Sequence, residues 1–132
     1  MATINNPQLT VFTHPLRNMA TVVASCDVEL TDFEVNAVNM LRLRYTVDCR
    51  VINRDIQYED SVISYDSRDI PPLGYDAESA NHVVFEIDAL MSDLHQHILT
   101  NDQLIAEFTL TDRDTSAQQT VRSKAVEVDL VA

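Results

Sequence analysis

Residues 41–51 read Leu-Arg-Leu-Arg-Tyr-Thr-Val-Asp-Cys-Arg-Val. Each odd position (Leu41, Leu43, Tyr45, Val47, Cys49, Val51) is apolar or readily buried, and each even position is polar. A period of two sends successive side chains to opposite faces of a strand. The stretch therefore predicts one long strand, 41–52, with a dry face and a wet face.

Other segments repeat the pattern. Val22, Ala24, Cys26, Val28 and Leu30 point one way along 22–30, as do Val83, Phe85 and Ile87 along 82–88, and Leu104, Ala106, Phe108 and Leu110 along 103–111. A further strand is expected near 61–65, and a short edge strand at most near 9–13, within an otherwise irregular 1–17 carrying two prolines. Residues 32–39 read either as a continuation of the first strand past a bulge or as a loop tipped by Phe33. In 118–131 the apolar parity switches between Val121, Ala125 and then Val126, Val128, Leu130, which predicts a bulge or a crossing between sheets.

The period changes once. Leu90, Met91, Leu94 and Ile98 form a helical stripe, with Asp88 as start cap and Asn101 beyond the end. Asn53, Arg54 and Asp55 carry turn chemistry, and 67–81 is the longest loop. About seven strands with short polar connections exclude a parallel α/β fold, which needs a helix after nearly every strand. The expectation is an all-β, mostly antiparallel sandwich, immunoglobulin-like or transthyretin-like, with one short helix near 89–99. Its core closes around Tyr45, Phe85 and Phe108. With no repeat or linker, 1–132 reads as a single domain, long enough to bury a core without staples.

Nine basic residues against 21 acidic ones give a formal net charge of -12. That opposes nucleic acid and anionic membrane surfaces, and favours a basic partner or a metal ion. The one glycine, Gly74, excludes glycine-built phosphate loops. The first residues lack a basic start and an apolar core, so no signal peptide is expected, and no apolar run approaches the ~20 residues of a membrane helix. The expected location is cytoplasmic, or within a virion.

Cys26 and Cys49 fall at inward positions and are expected as buried free thiols. Pairing 22–30 with 41–51 as a hairpin, Glu29 opposite Arg44, keeps them off register. Sliding by two would oppose Asp27 and Asp48.

His95-Gln96-His97 resembles a chelating pair, but on a helix residues two apart point about 200° apart, so a solvent-facing helix end is expected. Asp66 and Asp69, with Asp76, in the long loop, and Asp112 and Asp114 in the 112–117 turn, are weak calcium candidates. Arg113 stands between the last two, and neither loop has EF-hand spacing. Arg42, Arg44 and Arg50 would form a stripe on the outer face of the long strand, for an acidic partner or for pairing with neighbouring acids such as Glu29. No serine sits on a nucleophile elbow, and buried cysteines disfavour thiolates.

The expectation is therefore a non-enzymatic structural or protein-interaction module without a cofactor, acting through a protein partner or self-association. Val23, Phe33, Val62 and Ile105 are expected as exposed apolar contacts. A phage particle or bacterial assembly is a setting that suits such a domain. The alternative is a small-ligand or calcium-binding sandwich using the 67–81 and 112–117 loops, and a third is an enzyme with its site between subunits.

Overall fold

A computed structural model describes residues 2–54, 59–95 and 102–130. Among them are nine strands: β1 (Thr3–His14), β2 (Met19–Glu29), β3 (Tyr45–Arg54), β4 (Glu59–Ser64), β5 (Arg68–Ile70), β6 (Ala80–Leu90), β7 (Asp102–Asp112), β8 (Gln118–Arg122) and β9 (Val126–Val128). One full helix, α1 (Asp32–Leu41), joins β2 to β3, and a single turn, α2 (Met91–Leu94), follows β6.

The strands form two antiparallel sheets. One has the order β1-β2-β6, and the other β4-β3-β7-β8, with β5 also on β3 and β9 also on β7. The inward rows read from the sequence make the core between them. Val22, Ala24, Cys26 and Val28 on one sheet, and Val47, Val51, Leu104, Ala106 and Phe108 on the other, are fully buried. Phe85 and Phe108 meet across the sheets with ring centroids 6.2 Å apart, and Tyr65 lies 5.4 Å from Phe85. Tyr45 is half-buried against the same core. This is the all-β sandwich that the alternation predicts.

Several boundaries differ, each for a physical reason. The long strand begins at Tyr45, not Leu41, because Thr31 and Glu34 build a capping box that starts α1. The Thr31 hydroxyl accepts from Glu34 N at 3.2 Å, and the Glu34 carboxylate accepts from Thr31 N at 3.0 Å. The helix ends at Arg42, in the left-handed region at φ 56°. Residues 32–39 are thus neither strand nor loop, and α1 carries the chain from one sheet to the other. The hairpin placing Glu29 opposite Arg44 does not form; Glu29 pairs with Thr3 and Ala80.

At the N-terminus, β1 is twelve residues long rather than a short edge. A register shift between Asn5 and Gln8, with Asn6 at φ 51°, absorbs Pro7 on an edge strand. The parity switch late in the chain is a break between β8 and β9, both of which stay on β7. Ser123 fills it: its N–H donates to Ala106 O and its hydroxyl accepts from Ala106 N, both at 2.9 Å.

The predicted helix at 89–99 is reduced, as far as residue 95, to the single turn α2. The ladder of β6 with β2 runs on to Leu90 opposite Met19, and His95 is extended. Asp88 does not cap; its carboxylate accepts from the Thr21 hydroxyl at 2.6 Å. Met91 and Leu94 are buried as the stripe requires. Asp55, His97, Ile98 and Asn101 lie outside the described residues.

Candidate protein-interaction groove

The strand β6 pairs only with β2 among the described residues, in unbroken register. Backbone bonds in antiparallel pairs alternate, so one known bond fixes the phase. Leu30 N bonds Ser79 O at one end of this ladder, and Met91 N bonds Asn18 O at the other. Both place Asn81, Val83, Phe85, Ile87 and Ala89 in bonded pairs with β2. The N–H and C=O groups of Ala80, His82, Val84, Glu86, Asp88 and Leu90 therefore point away from β2, along a free edge.

That edge borders a groove. A cavity of about 550 Å³ lies between residues 80–84 and the 67–78 segment, where Ile70, Leu73 and Tyr75 line it. A second of about 300 Å³ continues past Phe85 to Ile87, walled by Tyr65 and Asp66. The Arg68 guanidinium lies between them, 5.2 Å from the Phe85 ring centroid, a cation–π contact. Ile87 has the inward parity of β6 yet is 40% exposed, and Leu73 and Tyr75 are 78% and 74% exposed. The sandwich is left open along this seam.

The groove is acidic. Asp66, Asp69, Asp76, Glu78 and Glu86 line it, against Arg68 and His82. His82 Nδ1 lies 2.7 Å from Asp27 Oδ1, and the Asn6 amide donates to the other Asp27 oxygen at 3.0 Å. The His82 and Asn6 hydrogen bonds hold the Asp27 carboxyl below its usual range.

The predicted calcium ligands separate by role. Asp66 and Asp69 line the groove, and Asp69 is 3.8 Å from Arg113. Asp112 accepts the backbone N–H groups of Asp114 at 2.9 Å and Thr115 at 3.4 Å, closing its own turn. No cluster of three or more histidine, cysteine or acidic residues suited to a metal occurs among the described residues.

The expected arginine stripe is corrected. Arg42 ends α1 and Arg44 precedes β3, so only Arg50 lies on the strand. Arg50 and Arg122 both donate to Glu107 at 2.8 Å, across three neighbouring strands. Burial raises the Glu107 carboxyl, but these two hydrogen bonds outweigh it and its pKa falls. Arg44 Nη1 is buried without a partner among the described residues, beside a separate hollow between α1 and the 71–76 turn.

The exposed apolar set is also revised. Phe33 is 81% exposed, but Ile105 is buried, Val62 packs partly against the core, and Val23 is half-buried. His95 is not a solvent-facing helix end. Its Nδ1 lies 2.6 Å from Asp102 Oδ2, and the Asn53 amide donates to Asp102 Oδ1 at 2.8 Å and to Leu94 O at 2.7 Å. Asn53, expected in a turn, is buried within β3.

The 67–81 side of this groove is visible in the sequence as its longest loop, whereas the β6 side is not. The signal present in β6 is the polar row His82, Glu86, Asp88 on its outward face, which marks a strand with one face in water.

Fold and groove together define an antiparallel β-sandwich in which, among the described residues, the β6 edge of the first sheet borders an open groove. No protein-family description matches the chain, and no curated protein matches it. Among solved structures it is similar to Bacteroides uniformis beta-glucuronidase 2 covalently bound to cyclophellitol-6-carboxylate aziridine, at 14% identity and a TM-score of 0.46. The likeness covers 94% of this chain and 13% of that one, so this chain spans a small part of that protein's length. No described helix is long and apolar enough to cross a membrane.

Proposed function

We propose that this chain is a non-enzymatic protein-interaction module built on an immunoglobulin-like sandwich. The strand order supports the finer fold. Strands one, two and six share a sheet, as do three, seven and eight, in the manner of A, B, E and C, F, G. The observation that carries the function is the free edge of β6 beside a groove in which inward-facing Ile87 remains 40% exposed. Sheet edges and uncovered apolar surface are what proteins use to bind one another. A role within a phage particle or bacterial assembly, in the cytoplasm or a virion, fits this reading.

A photocrosslinking residue at position 84, compared with one at exposed position 120 on β8, at the far end of the second sheet, tests it in the native host. A discrete adduct only from position 84 is expected. Equal adducts from both positions, or none, reject the reading.

A second reading, small-ligand binding, is favoured by the cavity of about 550 Å³, within the usual range of ligand pockets. Its length along β6 and continuation past Arg68 favour a polymer over a compact ligand. Thermal shift against a metal and metabolite panel separates the two.

A further inference from the structure

We propose, building on the interaction-module reading, that the free edge of β6 receives an extended basic segment of another protein, which adds as a fourth strand to the sheet β1-β2-β6. The outward N–H and C=O groups of His82, Val84 and Glu86 supply the ladder, since the bonds that fix the β6 phase commit the alternate residues to β2. Residues 80–87 span about 23 Å at ~3.3 Å per residue, enough to pair with about seven residues. In the immunoglobulin constant arrangement, strand D lies beside this edge of E. Here the chain passes it as the turn at 71–79, and the groove stands in that place.

The lining sets the chemistry of the segment. Side chains of an added strand alternate, so one row would cover Ile87 and the rim of Phe85 and the other would face solvent and the groove walls. The first row calls for apolar residues. Five carboxylates against one guanidinium and His82 call for Lys or Arg in the second. A second copy of this chain is a poor occupant, because its net charge of -12 would meet an acidic groove.

The test uses the full chain and three synthetic heptapeptides: alternating Lys-Val, alternating Glu-Val, and a block peptide with the Lys-Val composition. The alternating Lys-Val peptide is expected to bind and to slow amide exchange at His82, Val84 and Glu86. Val84→Pro removes an N–H that no described strand uses, so the ladder with β2 is expected to stay intact. It is expected to weaken binding about tenfold, the loss of one well-made hydrogen bond. Val84→Thr keeps the N–H and is expected to bind as the parent does. Equal binding of the block peptide, or indifference to Val84→Pro, overturns strand addition while leaving a partner elsewhere on the module. No binding of the Lys-Val peptide at low salt overturns the basic segment. Self-association through this edge, abolished by Val84→Pro, overturns it in favour of a second copy. Failure of the module reading itself is read separately, from the crosslinks in the host.

Discussion

Glu34, the third residue of α1, accepts a hydrogen bond of 2.9 Å from the hydroxyl of Tyr45, the first residue of β3. One carboxylate thus closes the helix cap and ties the crossover helix to the second sheet. Burial alone would raise its pKa. The bonds from the Thr31 backbone, the Tyr45 hydroxyl and the Thr31 hydroxyl outweigh burial and bring it to about 2, from an ordinary 4.5.

A depressed carboxyl stabilises the folded chain above its unfolded pKa, and that stability is lost as pH falls through the folded value. Glu34 therefore contributes fully above about pH 4.5 and loses its contribution toward pH 2. Glu34→Gln is expected to cost about 1–2 kcal/mol at neutral pH and to flatten the acid limb. Urea denaturation across that range checks it; an acid limb as steep as the parent's would refute the assignment.

The two thiols sit in opposite sheets and are free. Burial pushes Cys26 up to about 12, with Asp27 adding to it, and burial pushes Cys49 to about 12, with Cys26 adding to it. Neither thiolate forms at neutral pH, so a thiol reagent is expected to react only as fast as the chain unfolds. Rapid labelling of either cysteine in native buffer would contradict the packing described.

The Tyr65 hydroxyl, on the residue after β4, donates to Val22 O of β2 at 2.9 Å and so bridges the two layers. Tyr65→Phe removes only that bond and is expected to cost about 1 kcal/mol. Phe108→Ala, at a fully buried position, is expected to cost about 3–5 kcal/mol. Comparable losses in chemical denaturation would mean that the Tyr65 bond, not ring burial, holds the layers together.

Asp102 is fully buried between His95 and Asn53. Asp102→Ala deprives the buried Asn53 amide of one of its two acceptors and His95 Nδ1 of its partner, at an expected cost of about 2–4 kcal/mol. His95→Ala should cost less, because the His95 side chain is 25% exposed and water can reach the site. Thermal unfolding of the two variants checks the order; the reverse order would mean that His95 holds this end of the fold independently.

Alternation along 22–30, 82–88 and 103–111 was enough to specify strands, their buried rows and an all-β sandwich around Phe85 and Phe108. Each of those features depends on neighbours two residues apart. The capping box of Thr31 and Glu34 was equally local and legible, but the odd-even pattern of Leu41 and Leu43 masked it by seeming to extend β3. What no local pattern carries is pairing. That β2 lies between β1 and β6, that Asn53 and Asp102 meet inside, and that Val84 presents an unused N–H were decided only when distant segments closed against each other. Such contacts are chosen by burial and hydrogen-bond completion over the whole molecule. Local alternation therefore determined the rows that supply most of the core, while the tertiary structure buried Ile105 and Asn53, left Ile87 40% exposed and decided that β6 keeps an open edge.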